Sequence, residues 1–413
     1  MGAAGGKQRK YAGNLKVMDA NRFDTLPESA FVRLRQLLDG RPGAPSPMDL
    51  TVGEPRHAIP DFVGAVLQDH IQEFGPYPDP GGPLSLRHAI ADWQVRRYGT
   101  PPLDAATQIA AVNGTREALF NACLAVTPET KAGQKPIILI PNPFYHCYAA
   151  GVAAAGAEPY FWNASDETGN LPDLDAIDDA TWDRVAAIFM CSPANPQGAA
   201  ASLEYWQKLL AKARAHDAVV LADECYSEIY YGTAPVGAIE AAAGDVSNLL
   251  IFNSLSKRSN LAGLRCGFVA GEARRIAQIM KLRRLGGAPV PQPLCAVAEA
   301  CWNDEAHVAA SREQYRDKFK LIGNALGNRF GYKMPDGGIF LWLNTQSEWG
   351  LDSEAAALHL WDEVGLRVLP GTYLARPTPQ GNPGTDYIRI AAVYDAATTS
   401  TMLDRLTNLT PKN

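Results

Sequence analysis

From about residue 60 to residue 290 the chain alternates amphipathic stretches with short runs that are apolar at nearly every position and are bounded by Pro, Gly or Asn. A run of that kind buries both of its faces, as a strand does in a parallel sheet covered on each side by helices. The pattern predicts strands at 136–140, 158–162, Val185–Cys191, 218–222, 249–252 and 266–270, with helices between them at 116–125, 145–155 and Leu203–Ala215. Strands and helices alternating in this way give a doubly wound α/β domain with a mostly parallel sheet.

Beyond that region the period changes. Residues 293–329 read as long helices, punctuated by the capping residues Asn303, Asp304 and Glu305. Strand-like runs at 338–343 and Tyr387–Ala391 then enclose a helix at Ser353–Val364, which predicts a smaller α+β domain. A helix at 26–38 and an extended segment at 48–55 precede the large domain. The expected division is an N-terminal arm and helix over 1–45, a large α/β domain over 46–292 and a small α+β domain over 293–413, with a cleft between the last two.

Composition excludes several classes of function. The 413 residues carry 38 Lys+Arg against 44 Asp+Glu, a formal charge of −6, with 46% hydrophobic and 20% charged residues. That is the balance of a globular chain able to bury a substantial core. The basic stretches at 7–10 and 281–284 are short and isolated, so the electrostatic footprint of nucleic-acid binding is missing. No window approaches the roughly 18 to 20 apolar residues of a membrane span. Residues 1–13, rich in Gly, Ala and Lys, lack the apolar stretch of a secretory signal. Seven scattered cysteines, none in a C-x-x-C, read as reduced core thiols, and no histidines pair as H-x-x-x-H. The expectation is a cytoplasmic protein with no metal site and no nucleic-acid or membrane partner.

Four polar clusters sit at the ends of the predicted elements. In Asn253-Ser254-Leu255-Ser256-Lys257-Arg258, a lysine directly follows a buried strand; desolvation there lowers its pKa and frees a neutral amine for Schiff-base chemistry. Ser254, Ser256 and Arg265 can together hold one phosphate, the hydroxyls as donors and the guanidinium as a fork. Asp223 ends the strand at 218–222 and Tyr226 follows three residues later. A carboxylate at the carboxyl end of a parallel strand sits where open α/β sheets bind ligands, and it can keep a pyridine nitrogen protonated while a phenol donates to the ring hydroxyl. Asn195 is held in a turn between Pro193 and Pro196, and Gly114-Thr115-Arg116 opens a helix whose free N–H groups favour an anion. Taken singly, these are equally a polar loop, a helix cap and a plain turn.

In order and spacing the clusters resemble the fold type I pyridoxal 5'-phosphate aminotransferases of class I/II, over nearly the whole chain from about residue 26 onward. The resemblance implies that Lys257 carries the cofactor as an aldimine and is catalytic together with Asp223, which lies on the pyridinium nitrogen. It implies Tyr226 and Asn195 on the ring O3', with Gly114, Thr115, Arg116, Ser254, Ser256 and Arg265 around the phosphate. Tyr145, in Pro143-Phe144-Tyr145-His146, falls where an aromatic ring stacks on the cofactor. Tyr77, in Tyr77-Pro78-Asp79-Pro80-Gly81-Gly82, falls where a tyrosine reaches the partner subunit's phosphate, so a homodimer is implied. Arg389 matches the arginine that clamps the substrate α-carboxylate, and Gly53 and Asn195 line the same pocket. Ala194 and Gln197 depart from the usual P-x-N-P-T-G and leave Asn195 in place. Amino acid and 2-oxo acid substrates follow from the resemblance, with Lys257 moving a proton between Cα and C4' and ping-pong kinetics.

Several strings are similar to one subgroup, the succinyldiaminopimelate transaminases of bacterial lysine biosynthesis. Among them are Gly53-Glu54-Pro55-Arg56-His57, Trp302-Asn303-Asp304-Glu305-Ala306-His307 and Leu369-Pro370-Gly371-Thr372-Tyr373-Leu374-Ala375-Arg376. This likeness implies transfer of the amino group of glutamate to N-succinyl-2-amino-6-oxopimelate. Such a substrate carries extra carboxylates, for which Arg56 or the Arg283/Arg284 pair are the expected partners. Residues 285–291 depart from the subgroup pattern. An aminotransferase for aspartate, aromatic or acetylornithine-type substrates keeps the same cofactor residues, and a regulator on this fold is the further alternative.

Overall fold

A computed structural model describes residues 21–410; the expected arm at residues 1–20 lies outside the described residues. In chain order the strands are β1 (Met48–Asp49), β2 (Ile109–Val112), β3 (Ile137–Asn142), β4 (Glu158–Asn163), β5 (Val185–Cys191), β6 (Val219–Asp223), β7 (Leu249–Ser254), β8 (Gly267–Gly271), β9 (Phe340–Asn344), β10 (Leu366–Arg367), β11 (Leu369–Pro370) and β12 (Tyr387–Ala391). The main sheet has the order β2-β8-β7-β6-β5-β3-β4, in which β8 alone runs against the others.

Successive residues of these strands belong to different cores. Ile137, Leu139, Val220, Ala222, Leu249 and Ile251 face one cluster, while Ile138, Ile140, Val219, Leu221, Leu250 and Phe252 face the other. With a period of two and helices on both faces, every position of the strands other than the edge strand β4 is buried, which is why the sequence shows continuous apolar runs. The covering helices show the expected spacing. Leu203–Ala215 starts at Ser202, whose hydroxyl accepts from the Tyr205 N–H at 3.1 Å, and it buries Trp206, Leu209, Leu210 and Ala213. The expected doubly wound α/β domain is present. Strand β2 is an addition to the predicted set.

The smaller unit holds the antiparallel sheet β11-β12-β9 and the parallel pair β1-β10. Its core joins Leu341, Leu343, Ile388 and Ile390 to the helices Ala306–Leu326, Ser353–Val364 and Ala396–Thr407. Two segments pack across the expected boundary. The helix Gln292–Asn303 places Cys295, Ala298 and Trp302 in the core of the large sheet, with the Trp302 ring 4.7 Å from Trp93 and 5.2 Å from Phe268. Conversely β1, near the start of the expected large domain, pairs with β10. We propose that packing sets the division, with 48–51 on the small side and 292–303 on the large.

Among the described residues all seven cysteines are buried and unpaired, no cluster could hold a metal ion, and no helix is long and apolar enough to cross a membrane.

Candidate active site

The carboxyl ends of β3, β5, β6 and β7, and the turn after β2, open on one cavity of about 910 Å³. Arg389 on β12, Phe340 on β9 and Tyr373 face it from the small unit, with Ala30 and Phe31 of the helix Ala30–Leu37. The cavity therefore lies between the two units, at the sheet edge where α/β folds place ligands.

Lys257 stands in the single helical turn Leu255–Arg258 after β7. The Ser254 hydroxyl caps that turn by accepting from the Ser256 N–H at 3.1 Å. Arg258 fixes it from behind: almost fully buried, it donates to the Cys301 carbonyl at 2.6 Å and to Glu305 at 2.6 Å, with its guanidinium 4.7 Å over the Trp302 ring. The Lys257 ammonium donates to the Gly53 carbonyl, and burial lowers its pKa to about 8. Gly53 has no room for a side chain, since a Cβ would lie 2.3 Å from the Phe340 ring.

Asp223 ends β6, 5% exposed. Its Oδ2 accepts from the Tyr148 hydroxyl at 2.6 Å and its Oδ1 from the Cys225 N–H at 3.3 Å. Burial raises its pKa, and those two bonds work in the opposite direction. Tyr148 is itself stacked on Phe189 at 4.2 Å. The Tyr226 phenol faces the same cavity, and burial raises its pKa well above the ordinary range.

Arg389 donates to Asn195 Oδ1 at 3.2 Å and to the Thr51 carbonyl at 2.7 Å, and its guanidinium lies 4.2 Å over the Phe340 ring. Its Nε is buried without a partner, and burial lowers its pKa to about 10. No carboxylate pairs with it among the described residues, so this is a desolvated cation prepared for an anion.

A second group of donors lies at the start of the helix Thr115–Val126. Gly114 has φ +77°, and a Cβ there would fall 2.4 Å from Arg265 Nη2. No side chain caps the helix, so its first N–H groups are open. Arg265 is held by the carbonyls of Ala262 at 2.8 Å and Asn113 at 3.3 Å, and the Ser254 and Ser256 hydroxyls lie 2.9 Å apart. Thr115 Oγ1 sits 3.0 Å from Cys225 Sγ. Arg116 donates to the Tyr145 hydroxyl, whose pKa burial raises to about 12.

Most of the residues singled out in the sequence thus surround one cavity, with Gly114 packed directly behind Arg265. Four others do not line it. Tyr77 is fully exposed and outside it. Arg56, expected to meet a distal carboxylate, lies on the surface with its guanidinium 4.2 Å over the Tyr394 ring. Arg283, expected in the same role, is buried in an ion pair with Glu117 at 2.9 Å, and Arg284 is exposed. Tyr148, His146 and Arg376, which sequence reasoning did not single out, do line the cavity. Burial, followed by Arg116 and Arg389, lowers the His146 pKa to about 4. The one sequence signal for Tyr148 is its place three residues after Tyr145, at the start of an apolar helix.

Residues 45–408 match the family model described as "Aminotransferase class I and II". This chain belongs to that family. A curated relative, the LL-diaminopimelate aminotransferase of Maridesulfovibrio salexigens, is 30% identical over 94% of this chain and 98% of its own. An aminotransferase structure from Neisseria meningitidis is 37% identical with a TM-score of 0.88, covering 94% of this chain and 98% of that one. A Thermus thermophilus structure described as a "probable N-succinyldiaminopimelate aminotransferase" has a TM-score of 0.81 at 22% identity, covering 92% and 99%, and shares the fold. The protein is a pyridoxal-phosphate-dependent aminotransferase. Its cavity fits that cofactor: a seat of N–H, hydroxyl and guanidinium donors suits the phosphate, a buried carboxylate the ring nitrogen, and a desolvated lysine the aldehyde.

Proposed function

We propose that the enzyme transfers the amino group of glutamate to N-succinyl-2-amino-6-oxopimelate, a step of lysine biosynthesis in the cytoplasm. The observation that carries this reading is the excess of cations around the cavity. Arg116, Lys257, Arg265, Arg376 and Arg389 line it against Glu54, Glu117 and Asp223, and Glu117 is already paired with Arg283. With Arg116 and Arg265 set toward the cofactor phosphate, Lys257 toward its aldehyde and Arg389 toward the substrate α-carboxylate, Arg376 is left without an anion, which suits an acceptor with carboxylates at both ends. The strings shared with the succinyldiaminopimelate subgroup support the same choice.

Pyridoxal phosphate, when bound, supplies the electron sink that stabilises negative charge at the substrate Cα. The chain supplies the rest. Lys257 takes the Cα proton as general base and returns it as general acid, which its lowered pKa permits near neutral pH. Asp223, held by Tyr148, keeps the ring nitrogen protonated, and Tyr226 and Asn195 serve the ring hydroxyl. The open helix start, Ser254, Ser256 and Arg265 hold the phosphate. Arg389 fixes the α-carboxylate beside Asn195, so that the Cα–H bond is presented to Lys257. Each amino acid leaves as an oxo acid before the next substrate enters, giving ping-pong kinetics.

The working unit in this reading is a homodimer. Tyr77 is exposed along with Ile59, Ile71, Phe74 and Leu285, apolar side chains suited to cover by a second copy. The seven unpaired thiols support a reducing compartment.

The name of the Maridesulfovibrio relative favours a second reading, in which unsuccinylated LL-diaminopimelate is the substrate. Both diamines are assayed as donors to 2-oxoglutarate. The first reading expects kcat/KM at least about tenfold higher for the succinylated compound, and the reverse order selects the second.

A further inference from the structure

One arginine of the cavity is accounted for neither by the phosphate seat nor by the α-carboxylate clamp. Arg376 follows β11, and its main chain is tied to the end of β3. Its N–H donates to Asn142 Oδ1 at 2.9 Å, and Asn142 Nδ2 donates back to its carbonyl at 2.8 Å. The guanidinium lies 5.1 Å from the centre of the Phe144 ring and donates to the carbonyl of the adjacent Ala375 at 2.9 Å. Among the described residues no carboxylate pairs with it. Burial lowers its pKa, and the nearby charge of Arg33 lowers it further. Arg33 is stacked 3.8 Å over the Tyr373 ring and reaches Glu354 at 3.9 Å. A half-buried guanidinium beside a second cation is an unfavourable arrangement that an anion would relieve. The same end of the cavity is lined by Phe31, Phe144 and Leu374, apolar surface suited to a methylene chain.

We propose that Arg376, assisted by the charge of Arg33, binds the carboxylate at the far end of the substrate, and so selects dicarboxylic amino acids over monocarboxylic ones. This deepens the proposed function and rests on its transaminase chemistry. It replaces Arg56 and Arg283 in the distal role, because their guanidinium groups are engaged elsewhere. A planar fork above an aromatic ring suits bidentate recognition of a carboxylate.

The test compares amino donors matched in length, 2-aminopimelate with 2-aminoheptanoate and glutamate with norvaline, in single-turnover half-reactions followed by cofactor absorbance. Pimelate and heptanoate binding are measured by calorimetry on the same holoenzymes, independently of turnover. Wild type is expected to prefer the diacid of the longer pair. R376Q should lower kcat/KM for that diacid by about 10-fold to 100-fold and leave the monoacid within about twofold. R376K should restore part of the loss, since it keeps the charge without the fork. Equal losses for both members of a pair would mark Arg376 as structural and overturn the inference. An unchanged R376Q, or a wild type without diacid preference, overturns it too while transamination itself stands. No half-reaction with any amino acid would overturn the proposed function instead, and loss of pimelate binding in R376Q alone would still support Arg376.

Discussion

Lys257 owes its reactivity to where β7 leaves it. Burial brings its amine to about 8 from an ordinary 10.5, so the neutral form grows as pH rises through 8. Reconstitution of cofactor-free enzyme with pyridoxal phosphate should therefore speed up with pH, with a midpoint near 8, and Lys257→Ala should abolish both the absorbance change and turnover. For stability the sign is the same: between 8 and 10.5 the unfolded chain binds the extra proton, so this lysine's burden on folding is full below 8 and eases as pH rises toward 10.5. Tyr148→Phe removes a buried donor to Asp223 and should cost about 1.5 to 3 kcal/mol of stability in urea unfolding, with a lower kcat. Lys257, Asp223 and Asn195 are legible because each stands at the end of a strand, or within four residues of it, whose apolar run announces it. Tyr148 and Arg376 are not, since their positions depend on contacts with β6 and β3 that no local pattern encodes. Arg56 was misread because two residues of separation from Gly53 say nothing of direction, and its side chain turns outward onto Tyr394.

At the scale of elements, the runs at β3 and β5 to β8 are readable because burial on both faces writes an unbroken apolar signal. Strand β2 escaped: Ile-Ala-Ala-Val is short and alanine-rich, with weak β preference, and its pairing with β8 comes from a segment far along the chain. Yet β2 delivers Gly114 to the helix start proposed as the phosphate seat. Gly114→Ala would put a Cβ into Arg265 at a φ of +77°. The expected result is a loss of about 1 to 3 kcal/mol in thermal or urea unfolding and weaker cofactor binding in a fluorescence titration. Unchanged cofactor affinity would mean that the phosphate sits elsewhere.

For the whole molecule, the decisive property is what covers the exposed face that carries Tyr77. Sedimentation should find a dimer, and Phe74→Asp, which puts a charge into that apolar patch, should shift it toward monomers that release pyridoxal phosphate more readily. A wild-type chain that stays monomeric at micromolar concentration would refute the shared-site arrangement. The two units were foreseeable from the change of period near residue 293, but the helix Gln292–Asn303 crosses that line to fill the large core. Tertiary packing decided its side, because Cys295, Ala298 and Trp302 match the surface offered by Trp93 and Phe268.

The bond from Lys257 to the Gly53 carbonyl spans those two units. The lysine is anchored through Arg258 in the large core, whereas the chain just before Gly53 is stitched to the small sheet, Leu50 accepting from the Ala391 N–H at 2.8 Å. The reactive nitrogen is also a mechanical link. Whatever engages that amine in chemistry removes one of the bonds that tie the two units together across the cleft.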